Sequence, residues 1–183
     1  APPKTQSALL EAMEERQVTA DGETRRLPWP FIVLATENPI ELEGTFPLPE
    51  AQLDRFLLKI SLGYPSRDDE IAIARRFQSA SPLDDLSPVL DSADLETLAD
   101  NCRGVYVSDV VAGYLVDVVR ESRLAAGVAL GASPRATIAL LHASQALAAV
   151  NGRDFVLPDD VKRLAVPVLA HRLILSAEGR LHG

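Results

Sequence analysis

The sequence feature that most constrains this chain is the run FIVLATENPIELEGTFPLPEAQLDRF, which occupies residues 31–56. Its first segment, residues 31–35, is apolar throughout and rich in strand formers, which predicts a strand buried on both faces of a parallel sheet. The polar sequence TENP ends this segment, so Asn38 is expected at the carboxyl end of the strand, where open α/β sheets place their ligands. Pro39 keeps Asn38 out of the helical conformation.

A short helix and a second apolar segment follow a loop rich in Pro and Gly. The helix is expected over about residues 49–54, and Arg55 lies at its exit. The segment 56–62 predicts a second strand. A polar amide after one strand and an arginine before the next indicate a sheet that handles phosphate.

Together with the preceding segment APPKTQSALLEAMEERQVTADGE, this run resembles the MoxR family of AAA+ ATPases. The local sequences ASPRA and NGRDFVLPDDV extend the resemblance over nearly the whole chain. It implies the last part of an α/β P-loop core followed by an all-α helical-bundle lid. The phosphate-binding pattern G-x-x-x-x-G-K-[ST] does not occur in the sequence. Because the family carries that loop and the magnesium-binding motif upstream of APP, we expect this chain to be the carboxyl-terminal part of a longer ATPase.

The residue pattern changes from strand formers to helix formers at Gly63-Tyr64-Pro65-Ser66. This change predicts a core portion over residues 1–63, a lid over residues 64–183 and a hinge between about Leu62 and Ser66. Amphipathic segments in the lid predict four or five helices packed as a small bundle. Its interior is expected to contain five apolar side chains, which are Val111, Leu115, Val118, Leu140 and Leu147.

The first segment of the chain predicts a helix and a hairpin. Apolar residues at helical spacing favour a helix over about residues 4–16, and its acidic cluster Glu11, Glu14 and Glu15 is most simply a solvated face. Asp21-Gly22 lies between short extended segments, which is typical of a β-hairpin turn.

Asn38 is the first candidate site residue. Its amide both donates and accepts hydrogen bonds, so it can hold a water in line with a terminal phosphate. The alternative is a side chain that caps the turn formed by Asn-Pro. The resemblance implies that Asn38 is the sensor-1 residue.

Arg55 is the second candidate. From the residues alone, Arg55 and Asp54 could form a surface ion pair of little energetic consequence. The resemblance implies instead an arginine finger that reaches the nucleotide of a neighbouring subunit, which requires a ring. Arginine suits that role because its guanidinium stays charged and contacts phosphate oxygens in two places.

Arg135 is the third candidate, and it breaks a local rule. With Ser133 as N-cap and Pro134 as the first helical residue, Arg135 places a cation at a helix N-terminus, which costs about 0.3–1 kcal/mol. A guanidinium beside free backbone N–H groups forms an anion site, whereas the alternative is a solvated arginine that tolerates the dipole. The resemblance implies the sensor-2 arginine, and leaves open whether it acts in cis or in trans.

Composition narrows the remaining function classes. The net charge of −8 argues against a general nucleic-acid groove, and no apolar run is long enough to span a membrane. Cys102 is the single cysteine, which fits a reducing, cytoplasmic compartment. No His or Cys residues stand at metal-ligand spacing, so no metal site is expected within this chain.

The resemblance implies an ATPase that uses ATP and Mg²⁺ at the subunit interfaces of a hexameric ring and remodels or assembles partner proteins. It further implies a partner with a von Willebrand factor A domain. This chain alone is expected to be inactive, because the motifs that bind phosphate and magnesium are absent from it. The alternative from another class is a non-enzymatic helical interaction domain.

Overall fold

The chain begins with a helix and a hairpin, as predicted. The computed structural model describes residues 3–37, 48–78, 83 and 86–182. Helix α1 spans Pro3–Glu15, and strands β1 (Gln17–Ala20) and β2 (Glu23–Arg26) pair antiparallel. The turn residues Asp21 and Gly22 have φ of 53° and 82°. Two positive φ angles match the twist of the paired strands, which explains the Asp-Gly sequence.

Neither predicted core strand is present, which corrects two expectations from the sequence. Residues 31–37 and 58–66 have no regular secondary structure, and Leu34 and Leu62 are 92% and 91% exposed. A strand needs a hydrogen-bonded neighbour, and no described segment lies beside either run as a strand. Helix α2, Glu50–Leu53, forms between them as expected.

The rest of the described chain is mainly helical. Its helices are α3 (Arg67–Arg76), α4 (Ser92–Arg103), α5 (Asp109–Glu121), α6 (Pro134–Val150), α7 (Pro158–Leu169) and α8 (Ala177–His182). A 3₁₀ turn, Ala170–Arg172, follows α7, and two strands that the sequence did not predict as a pair, β3 (Val128–Leu130) and β4 (Ile174–Leu175), run antiparallel. No helix in this described part of the chain is long and apolar enough to cross a membrane.

Side-chain capping occurs at several helix starts. The hydroxyls of Ser66 and Ser108 accept hydrogen bonds from the third residues of α3 and α5. Ser133 is different, because it occupies the N-cap position of α6 but its hydroxyl makes no capping bond. The helix start at Pro134 is still correct, since proline has no N–H to satisfy there.

The core lies among α5, α6 and α7. Of the five predicted interior residues, Val111, Leu115 and Leu140 are buried, and Val118 and Leu147 are half-buried. Fewer helices form the core of the bundle than predicted, because α3 and α4 contribute no buried residue. Helix α4 is instead attached by Gln145 of α6, whose amide donates to the Arg103 and Val105 carbonyls at 3.0 and 2.9 Å.

Candidate functional site

Two of the three predicted site residues meet at one carboxylate. Arg135 Nη2 donates to Glu14 Oε1 at 2.7 Å, and Arg55 Nη1 donates to Glu14 Oε2. The three residues come from the end of α1, the turn after α2 and the first turn of α6. Glu14 is therefore a partner of both arginines, which corrects its assignment to a solvated helix face.

The ionisation of Glu14 follows from these contacts. The hydrogen bond from Arg135 lowers the pKa of Glu14 below its ordinary value, and the charges of Arg55 and Arg135 add to this effect against the opposing influence of burial. Glu14 is thus an anion at neutral pH. The negative charge of Glu14 explains why Arg135 is tolerated at the start of α6, because the carboxylate offsets the unfavourable interaction of this cation with the helix dipole.

Asp54 does not form the surface ion pair with Arg55 that the sequence left open. Its carboxylate lies 3.0 Å from Arg172 Nε and 3.9 Å from Arg135 Nη1. Side chains therefore alternate in charge in the order Arg55, Glu14, Arg135, Asp54, Arg172. With three cations and two anions, this set, which we call the arginine cluster, carries one surplus positive charge.

Arg172 is the buried member of the arginine cluster, and its side chain is only 2% exposed. It lies in the 3₁₀ turn after α7 and donates to the carbonyls of Asp54, Phe56 and Leu57 as well as to the Asp54 carboxylate. Burial lowers the pKa of Arg172 and Asp54 opposes this change, but arginine stays charged in proteins. Sequence reasoning missed Arg172, because nothing within a few residues of it indicates a partner.

His171 contacts the same segment. Its Nε2 lies 3.1 Å from the Phe56 carbonyl, so the neutral imidazole donates through this nitrogen. Burial lowers the pKa of His171, which keeps the ring uncharged at neutral pH. The contact is structural, and among the described residues no group of His, Cys, Asp and Glu has the arrangement of a metal site.

The arginine cluster has the chemistry of an anion site. Arg55 Nε is buried, and no acceptor in the described part of the chain lies within hydrogen-bond reach of it. Arg135 is 52% exposed, so an incoming anion can reach it. Guanidinium groups bind carboxylate and phosphate oxygens in the same fork geometry, so phosphate oxygens can replace those of Glu14. Asn38 lies outside the described residues.

Comparisons with known proteins find two family models that match parts of this chain. Residues 1–58 match the model of the ATPase family associated with various cellular activities (AAA), and residues 120–182 match the AAA lid domain. Uncharacterized protein YeaC of Bacillus subtilis is 48% identical over 99% of this chain and 57% of its own length. Chaperone MoxR1 of Mycobacterium tuberculosis is 44% identical over 96% of this chain and 48% of its own length.

A solved structure has the same fold. It is assigned as an ATPase of Cytophaga hutchinsonii and matches with a TM-score of 0.92 at 39% identity, covering 100% of this chain and 58% of that one. The predicted fold class, a part of an AAA+ core followed by a helical lid, is thereby confirmed. The chain spans about half the length of the curated relatives that it matches.

Proposed function

Since this chain belongs to the MoxR family of AAA+ ATPases, we propose that the whole protein hydrolyses ATP at subunit interfaces and remodels or assembles partner proteins. The assembly is a homo-oligomeric ring, proposed as a hexamer, in the cytoplasm. A protein with a von Willebrand factor A domain is the proposed partner. Because G-x-x-x-x-G-K-[ST] is absent from this sequence, the chain alone is expected to hydrolyse no ATP.

The observation that supports this proposal best is the shared carboxylate of Glu14. Arg55 and Arg135 both donate to it, so the two guanidinium groups point at one place. In the proposed enzyme that place receives the terminal phosphate, with Arg55 as the finger and Arg135 as the sensor-2 residue. Because both arginines donate to Glu14, we propose that Arg135 acts on the same nucleotide as Arg55, which is that of a neighbouring subunit.

The residues of this chain would supply charge and position to the reaction. Arg55 and Arg135 stabilise negative charge on the phosphoryl group as it develops, and Asn38 orients the attacking water. A bound Mg²⁺ would neutralise charge on the phosphate oxygens. The chain's described residues include no cluster suited to that ion, so its ligands are expected elsewhere in the protein.

Mixed rings of the full-length protein test the role of Arg55. We expect Arg55→Ala to lose most turnover, since fingers acting in trans contribute about 10³–10⁵-fold to related phosphoryl transfers. Nucleotide binding should change much less, because the contribution is concentrated in the transition state. Arg120→Ala, which removes an exposed arginine of α5, is the matched control and should retain normal turnover.

The mixing step separates action in trans from a structural role. Subunits carrying Arg55→Ala are combined with subunits mutated in the phosphate-binding loop, and steady-state ATP hydrolysis is measured across mixing ratios. Some interfaces then contain one intact loop and one intact finger, so activity should recover in part. Mixed rings that assemble but stay inactive at every ratio would place Arg55 outside the interface.

A further inference from the structure

We propose that Arg172 is a positioning residue for Arg55, so that the segment carrying the finger moves with the lid. The inference rests on the proposed function of Arg55 and adds a residue that neither the sequence pattern nor the family resemblance indicates. It concerns residues 54–59, which we call the finger segment. These residues follow α2 in the chain but are bound by the carboxyl-terminal end of α7 and the 3₁₀ turn after it.

The hydrogen bonds of Arg172 carry the inference. Five hydrogen bonds leave its guanidinium, which equals the number of N–H groups that the group possesses. One reaches the Val168 carbonyl of α7, and the other four reach the finger segment. Every donor of a 2%-exposed cation is thus satisfied, four of the five by the finger segment, which is the condition for burying a charge without a large penalty.

Two neighbouring contacts extend the same attachment. His171 donates to the Phe56 carbonyl at 3.1 Å, and the Lys59 amide donates to the Pro167 carbonyl at 2.9 Å. The finger segment is therefore held by backbone and side-chain bonds over most of its length. Its ion pair with α1, between Arg55 and Glu14, is 27% and 36% exposed. Water competes for that pair more strongly than for Arg172, so the lid is the firmer anchor.

Asp54 connects this anchor to the second arginine of the site. Its carboxylate accepts from Arg172 and also lies 3.9 Å from Arg135 of α6. The residue before the finger is thereby held between two arginines of the lid, which fixes Arg55 beside Arg135. Lysine cannot replace Arg172 in this role, because it presents three donors from one point instead of a planar fork with five.

A double-mutant cycle in the full-length ring tests the inference. Arg172→Lys keeps the charge but loses most of the fork, and we expect it to lower kcat by about 10²-fold, the typical loss for a misplaced catalytic group. KM should change much less, because the contribution of the finger is concentrated in the transition state. The control is Arg180→Lys, which alters an exposed arginine of α8 that donates to a single carbonyl, and it should leave kcat unchanged.

The second arm uses Arg55→Lys, chosen because a lysine at the finger position should retain measurable turnover. If Arg172 acts through Arg55, adding Arg172→Lys to Arg55→Lys should lower kcat much less than it does in the wild type. The inference would be overturned if the loss of kcat in the double variant equalled the product of the two single-variant losses, or if Arg172→Lys had the kcat of the wild type. Thermal unfolding shows whether Arg172→Lys folds. If it does not, Asp54→Asn replaces it in the cycle, because this change removes the carboxylate charge that faces Arg172. Full turnover of Arg55→Ala would instead reject the finger itself.

Discussion

Gln145 offers a test of how α4 is held to the lid. Its amide, in a side chain that is 8% exposed, donates to the carbonyls of Arg103 at the end of α4 and of Val105 just beyond. Gln145→Met keeps the size of the side chain and removes both donors. The Val105 carbonyl is buried and loses its partner, whereas that of exposed Arg103 can bind water. One lost hydrogen bond of about 1 kcal/mol and one unsatisfied buried carbonyl of about 1–3 kcal/mol give a loss of about 2–4 kcal/mol.

Gln145→Glu makes the same site sensitive to pH. A carboxylate at this position would face two carbonyl oxygens, so burial and repulsion should raise the pKa of the introduced carboxyl group above its ordinary value of about 4.3. A raised folded-state pKa gives stability that is fully present below the unfolded pKa and lost as pH rises through the folded one. Relative to the wild type, the variant should therefore be least stable at neutral pH and approach the wild type in acid, where the protonated carboxyl group can donate one hydrogen bond to a carbonyl.

Guanidinium denaturation of the chain, followed by circular dichroism at several pH values, measures these differences. Gln78→Glu, at an exposed position after α3, is the matched control and should behave like the wild type. The reasoning would be refuted if Gln145→Glu were as stable as the wild type at neutral pH, or if its stability relative to the wild type did not depend on pH.

The remaining predictions concern the core and a second ion pair. Leu140→Ala should cost about 2–5 kcal/mol of unfolding free energy, because Leu140 is fully buried, whereas Ile138→Ala on the exposed face of the same helix should cost less than about 0.5 kcal/mol. Equal losses in urea denaturation would contradict the assignment of the core. The hydrogen bond from Arg153 lowers the pKa of Asp160, so the stability it contributes is present above the ordinary pKa and lost as pH falls through the folded one. Asp160→Asn should flatten this acid dependence in pH titrations of stability, and an unchanged slope would show that another carboxylate causes it.

Part of the structure follows from short-range rules. Ser66 and Ser108 cap helices by hydrogen bonds with residues three positions away. The positive φ angles of Asp21 and Gly22 form the turn of the hairpin. These interactions lie within one turn of chain, so residue type and spacing suffice to predict them. Ser133 shows the limit of such rules, because its position at the start of α6 was correct but its capping hydrogen bond is absent.

Most of the helices and the hairpin could be predicted from residue type and spacing, because local propensity and periodicity are properties of neighbouring residues. The packed structure was needed to show that residues 31–35 and 56–62 are not strands, since pairing depends on a neighbour that local sequence does not reveal. Packing also brings Arg135 to Glu14, 121 positions away, and Arg172 to Asp54, 118 positions away. Charges at such separations meet because the segments that carry them pack together, and the residues near either arginine in the sequence do not indicate that contact.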